Sequence, residues 1–158
     1  MSENSDKRDV CYYFELMLYV AKELGAKVTP TKYQKVFYLL LKELGIDLGL
    51  DYEPSFFGVH SWKLQSCVEE LVEIGLVREV VDEVVRDPIS GLVVAVVRRY
   101  ELNTDFEPSE EDKEVIEFFK KWIVKSRSEI LKYVYEKYPE DNRYEYIRDR
   151  VLGKLLRV

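Results

Sequence analysis

From Thr29 to Leu102 the chain reads as helix, glycine-bearing connection, helix, and then two long strands, an order that few small folds can use. Thr29 is placed to cap the first of these helices. Pro30 follows at the first helical position, where its fixed φ helps and its missing N–H costs nothing. Tyr33, Val36, Phe37, Leu40, Leu41 and Leu44 then recur at helical spacing, which predicts a helix over Pro30 to Leu44 that is buried on more than one side and stopped by Gly45. Ser61 is predicted to cap a further helix, Trp62 to Ile74. Leu64, Cys67, Val68, Leu71 and Val72 fall on its inner face, leaving Lys63, Gln65, Ser66, Glu69, Glu70 and Glu73 outside. After Gly75, Val77 to Val85 and Leu92 to Leu102 are rich in β-branched residues, and Arg86-Asp87-Pro88-Ile89-Ser90-Gly91 between them is turn chemistry. Helices closed by such a hairpin are what a winged helix requires.

The flanks are helical too. Val10, Phe14, Met17, Leu18 and Leu24 predict a helix ending at Gly25, behind a polar and frayed Met1 to Lys7. Residues 46–57 alternate poorly and read as a loop with a short extended piece at Tyr52 to Phe57. That piece lies after the second helix, not where a standard winged helix keeps its first strand. Ser109 and Asp112 form a capping-box variant ahead of Val115, Ile116, Phe119, Trp122 and Ile123. A helix from about Ser128 to Tyr138 ends at Pro139, and Asn142 is placed to cap a last one burying Tyr146, Val151 and Leu155. The expected fold is mainly α (α+β), one domain over residues 1–158, with a winged-helix-like core at 9–105 and a helical part at 109–158.

Charge bears on function. The 158 residues carry 24 basic and 30 acidic side chains, a net charge of -6. Residues 1–50 hold 7 of each and residues 106–158 hold 12 of each, so the whole excess lies in residues 51–105, with 5 basic against 11 acidic. A third helix showing Glu69, Glu70 and Glu73 against one Lys63 repels phosphates where a DNA reader has to approach them. Lys32, Lys35, Arg98 and Arg99, with Arg86 at the turn, are the remaining candidates for DNA contact. Arginines on an exposed strand serve more often to solvate and protect an edge.

No constellation of residues points to catalysis or to a cofactor: the chain lacks a glycine-rich phosphate loop, metal-ligand spacing, and a nucleophile beside a base. His60 and Cys67 are about 10 Å apart along a helix axis, too far to share one metal. His60 therefore reads as a capping or packing residue. Cys67 on the apolar face reads as a small core residue, yet the Glu, Lys, Val and Tyr bias and only two glutamines suit a hyperthermophile, which leaves a Cys11 to Cys67 disulfide open. Without a signal-like apolar stretch or a run of about 18 apolar residues, the expected location is cytoplasmic and no membrane partner is expected.

Thr29-Pro30-Thr31-Lys32-Tyr33-Gln34-Lys35-Val36-Phe37-Tyr38-Leu39 resembles the signature helix of the Panacea domain family, the SocA-like and YwgA-like proteins. Phe56-Phe57-Gly58-Val59-His60-Ser61, with Leu64, Leu71 and Gly75-Leu76-Val77, is similar to that family's second block, departing at Val59 where the family carries Pro. Ser128 to Pro139 resembles the helix and proline that close YwgA-like members. The resemblance implies a mostly helical domain with a small hairpin, no catalytic residues, and an antitoxin or adaptor role exercised by direct protein contact.

The acidic helix independently favours a protein partner, a small basic toxin-like one fitting the charge best. Candidate contacts are Lys32, Gln34, Lys35, Trp62, Lys63, Glu69, Glu70 and Glu73. Gln34 has a structural alternative, bonding the backbone of the Phe57 to Ser61 turn, and Lys32 with Lys35 could hold an anion at a helix start. Tyr133, Tyr135, Tyr138, Tyr144 and Tyr146 spread too widely for one buried stripe, which makes some of them interface anchors. The alternative function is a winged-helix DNA-binding regulator, a homodimer through its terminal helices.

Overall fold

The computed structural model describes residues 9–53 and 60–142. Met1 to Lys7, the Phe56 to Val59 motif, and the last helix with Tyr144, Tyr146, Val151 and Leu155 lie outside the described residues. The chain is mainly α with a small amount of sheet.

Helix α1, Val10–Leu24, is capped by the Asp9 carboxylate, which accepts from the Tyr12 N–H, and closes on Gly25 at φ 67°. Helix α2, Pro30–Leu44, closes the same way on Gly45 at φ 68°. Both glycines sit in the left-handed region that the returning N–H bonds require, and where a side chain is strained. Thr29 occupies the N-cap of α2 as expected, but its hydroxyl makes no capping bond. The apolar face of α2 is wide enough to bury Tyr33 through Leu40 without interruption.

Strands β1, Tyr52–Glu53, and β2, His60–Ser61, pair antiparallel and lead into helix α3, Trp62–Glu73. Strands β3, Val77–Arg86, and β4, Val93–Leu102, form the long hairpin. Its register shifts between Val81 and Glu83 and again between Val85 and Arg86, so Asp82 and Val94 are the extra residues of two bulges. Asn103 closes its base, its N–H and side-chain amide donating to Leu76 O and Gly75 O at 3.0 Å each.

The connection between α1 and α2 supplies what the sequence did not reveal: Val28 is buried and its carbonyl accepts from the Tyr100 N–H at 3.0 Å. A single backbone bond therefore ties the connection between the first two helices to β4. Lys27 adds an ion pair to Asp82 at 2.9 Å.

Ser109 and Asp112 make the expected reciprocal capping box around a 3₁₀ turn, Glu110–Asp112, which opens helix α4, Lys113–Ile123. Helix α5, Arg127–Lys137, has a box of its own, Ser126 with Glu129, and begins one residue before the expected start at Ser128. Pro139 does end α5, but residues 139–142 are helical again. Asn142 therefore sits inside that turn, donating back to Tyr138 O at 3.0 Å, and does not cap it.

Helix α4 packs on α1 and α5 on α2, and one apolar cluster draws on both the winged-helix-like stretch and the later helices. Aromatic contacts run through it: Phe14, Tyr33 and Tyr100 meet edge to face in a triad, and Phe37 meets Phe119 at a tilt with 5.9 Å between centroids. Cys11 and Cys67 are bonded, joining α1 to α3 across a Cα separation of 5.7 Å.

Candidate functional site

The outward face of α3 is positioned by residues that never reach it. Ser61, fully buried, caps the helix through Oγ, which accepts from the Leu64 N–H at 3.1 Å. Its own backbone is gripped by Gln34 of α2: the side-chain amide donates to Ser61 O at 3.0 Å, and the Ser61 N–H donates to the amide oxygen at 2.9 Å. Gln34 is thus a two-bond clamp that fixes where α3 starts relative to α2. With Gln34 5% exposed, a partner cannot touch it, so its place among the contact residues is corrected.

On the other side of that clamp, Trp62 is 62% exposed, its ring set edge-on to His60 at 4.5 Å between centroids. His60 Nε2 lies 2.9 Å from Gln65 Oε1, and Gln65 Nε2 donates to Glu69 Oε2 at 3.0 Å. A polar chain thus runs from the tryptophan along the helix to the acidic residues, and Glu69, Glu70 and Glu73 all stand exposed. Lys63 is also exposed, but its ammonium donates to Gly49 O at 3.3 Å, away from the glutamates. The negative field reaches inward as well. Burial first, then the neighbouring Glu79 and, more weakly, Glu69, push the Tyr100 hydroxyl well above its usual range.

The basic candidates are placed elsewhere, and each is engaged inside the fold. Lys32 crosses to the end of α4, donating to Ile123 O at 2.9 Å, where a cation suits the helix dipole; burial lowers its pKa. Lys35 is only 2% exposed, which removes it from both the protein-contact and the DNA-contact sets. The fold buries it because α2 is enclosed on more sides than one. Arg98 pairs with Glu79 at 3.5 Å, Arg99 with Asp82 at 3.1 Å and with Glu101, and Arg86 donates to Gly91 O at 2.9 Å. A cleft of about 510 Å³ lies between α1 and β4, lined by Lys22, Lys27, Arg78 and Arg99, with Glu101 between the two arginines.

Tyr133 of α5 and Tyr138 at its C-cap are engaged within the fold. Tyr133 and Tyr138 both donate to Glu43 at the end of α2, with Lys137 at 2.9 Å from the same carboxylate. Among the described residues no helix is long and apolar enough to cross a membrane, and no three His, Cys, Asp or Glu side chains gather as metal ligands.

Searched against known proteins, the chain matches no family model and no curated protein. The α3 face is therefore read from its own chemistry. The exposed apolar residues of the distal hairpin, Val84, Ile89, Val94 and Val96 among them, are absent from the candidates drawn from sequence. A β-branched run reads alike whether its strand is covered or bare.

Proposed function

We propose that this protein is a non-enzymatic binding module of antitoxin or adaptor type, acting by direct contact with a basic protein through the outer face of α3. The observation that carries this reading is Trp62 standing exposed beside Glu69, Glu70 and Glu73, with the helix's only lysine turned away. An exposed tryptophan held against another ring is a ready interface anchor, and a row of glutamates selects cations. The resemblance of Thr29 to Leu39 to the Panacea signature supports the same class. The DNA-binding alternative is weaker, because Lys32, Lys35, Arg98 and Arg99 are each buried or engaged within the fold.

Affinity capture from the native lysate, with and without nuclease, tests the reading. A protein held by the wild type is expected to survive nuclease, to weaken at least ~10-fold with Trp62→Ala, and to be lost with Glu69, Glu70 and Glu73 reversed to Lys. The same reversal is expected to raise non-specific DNA affinity. A partner retained by both variants would remove this face from the interface; recovery of DNA alone, lost as salt rises, would overturn the reading.

A further inference from the structure

The α3 face leaves unused the cleft of about 510 Å³ between α1 and β4, a volume within the range of small-molecule sites. Part of its lining is aliphatic, from Leu18, Ala21 and Leu102. Gly25, closing α1 in the left-handed region, leaves one wall open, with nothing within 4 Å of where its Cβ would stand. Lys22, Lys27, Arg78 and Arg99 line the same space. Within the fold these cations meet two carboxylates. Glu101 accepts from both Arg78 and Arg99, and Asp82 lies 2.9 Å from Lys27 and 3.1 Å from Arg99. Four cations against two anions leave two positive charges in excess, in a chain whose net charge is -6.

We infer that this cleft binds a small organic dianion, a phosphomonoester or a dicarboxylate, with its charged head among the four cations and an apolar body against the aliphatic lining. Three observations choose that ligand. First, Glu101 already sits between the two guanidiniums, so both forks are held where they receive an oxyanion. Donors remain on each: Arg99 engages Nε and Nη1 and leaves Nη2, and Arg78 engages one nitrogen alone. Second, the Lys22 ammonium has no partner among the described residues, although it stands in the last turn of α1 beside this space. Third, an aliphatic wall beside a cationic one suits an anion that carries carbon better than it suits a bare inorganic ion, which gains nothing from apolar contact. The cleft shares no residue with the α3 face, and the inference does not rest on the function proposed there.

Heteronuclear NMR titration of the full chain with phenyl phosphate, phenylsuccinate and inorganic phosphate is the test. At least one organic probe is expected to give saturable shifts at Lys22 to Lys27 and Arg99 to Leu102, about 10-fold more tightly than inorganic phosphate. The tighter of the two names the headgroup. Lys22→Glu, which breaks no ion pair, is expected to weaken binding at least ~10-fold. Glu101→Gln is expected to tighten it by freeing donors on both arginines, whereas Glu136→Gln, the same change of charge on α5, leaves it unaltered. Reversing Glu69, Glu70 and Glu73 is expected to move it by less than about 2-fold at physiological salt, which separates this inference from the function proposed for α3. Saturation by neither organic probe, or equal affinity for inorganic phosphate, overturns the inference. Equal tightening by Glu101→Gln and Glu136→Gln does the same, since it marks attraction to net charge alone. Should a variant lose its helical circular dichroism, the wild-type shifts decide: confined to the cleft they support the site, and spread evenly over the surface they sink it.

Discussion

Gln34 shows how one buried amide can govern a surface it never joins. Its two bonds satisfy both backbone groups of Ser61, which has no access to water. Gln34→Ala strands them, at a cost of ~2–4 kcal/mol for two orphaned buried groups. The expected result is a lower thermal midpoint with partner binding retained below it; intact stability with binding lost would return Gln34 to the interface. Glu43 gives a pH dependence. Burial works against its charge, yet hydrogen bonds from Tyr138, Lys137 and Tyr133 prevail and hold its pKa below the usual 4.5. A carboxylate depressed in the folded state contributes stability that is complete above about pH 4.5 and fades as pH falls through the folded value. Urea titrations across acid pH are expected to show that loss, and Glu43→Gln to flatten it. An unchanged acid limb in the variant would mean that the Glu43 cluster holds nothing.

Among the elements, α3 is held by three different kinds of contact. Gln34 grips its start, Leu64, Cys67, Val68 and Leu71 bury its inner face, and the Cys11 bond ties its middle to α1. That bond closes a loop of 56 residues in sequence, for which chain entropy gives about 4 kcal/mol. Reductant is therefore expected to lower the urea midpoint substantially, and Cys11→Ser to reproduce the shift without reductant. Equal midpoints with and without reductant would show that the apolar face of α3 holds it to α1 unaided. The hairpin is the opposite case. Its base is fixed by Asn103 and by Val28, while its far half touches little of the body.

At the scale of the whole molecule, the cations of α2 and the hairpin turn inward or pair, while Glu69, Glu70 and Glu73 remain outside on α3. Lys32 and Lys35 are absorbed by the packing of α2, and Arg78, Arg98 and Arg99 by cross-strand carboxylates. The net charge of -6 thus understates how acidic the α3 face is. On the function proposed for α3, discrimination against DNA and preference for a basic partner would come from the same distribution, so charge reversal on α3 is expected to move both together.

Local chemistry was legible in the residues themselves. Gly25, Gly45, Ser61, Ser109 with Asp112, and the turn from Arg86 to Gly91 are backbone requirements satisfied within a few positions, so spacing alone placed α1 to α4 and the hairpin. The acidic outer face of α3 followed from the same helical period. What spacing could not convey was partnership across the chain. Gln34 and Ser61 are 27 positions apart, Lys32 and Ile123 are 91 apart, and Tyr133 and Glu43 are 90 apart. Only packing could turn two candidate lysines into buried or tethered groups, draw Val28 alongside β4, and leave the valines of the far hairpin bare. A periodicity records which side of an element is apolar; whether anything covers that side is decided by what the rest of the chain brings to it.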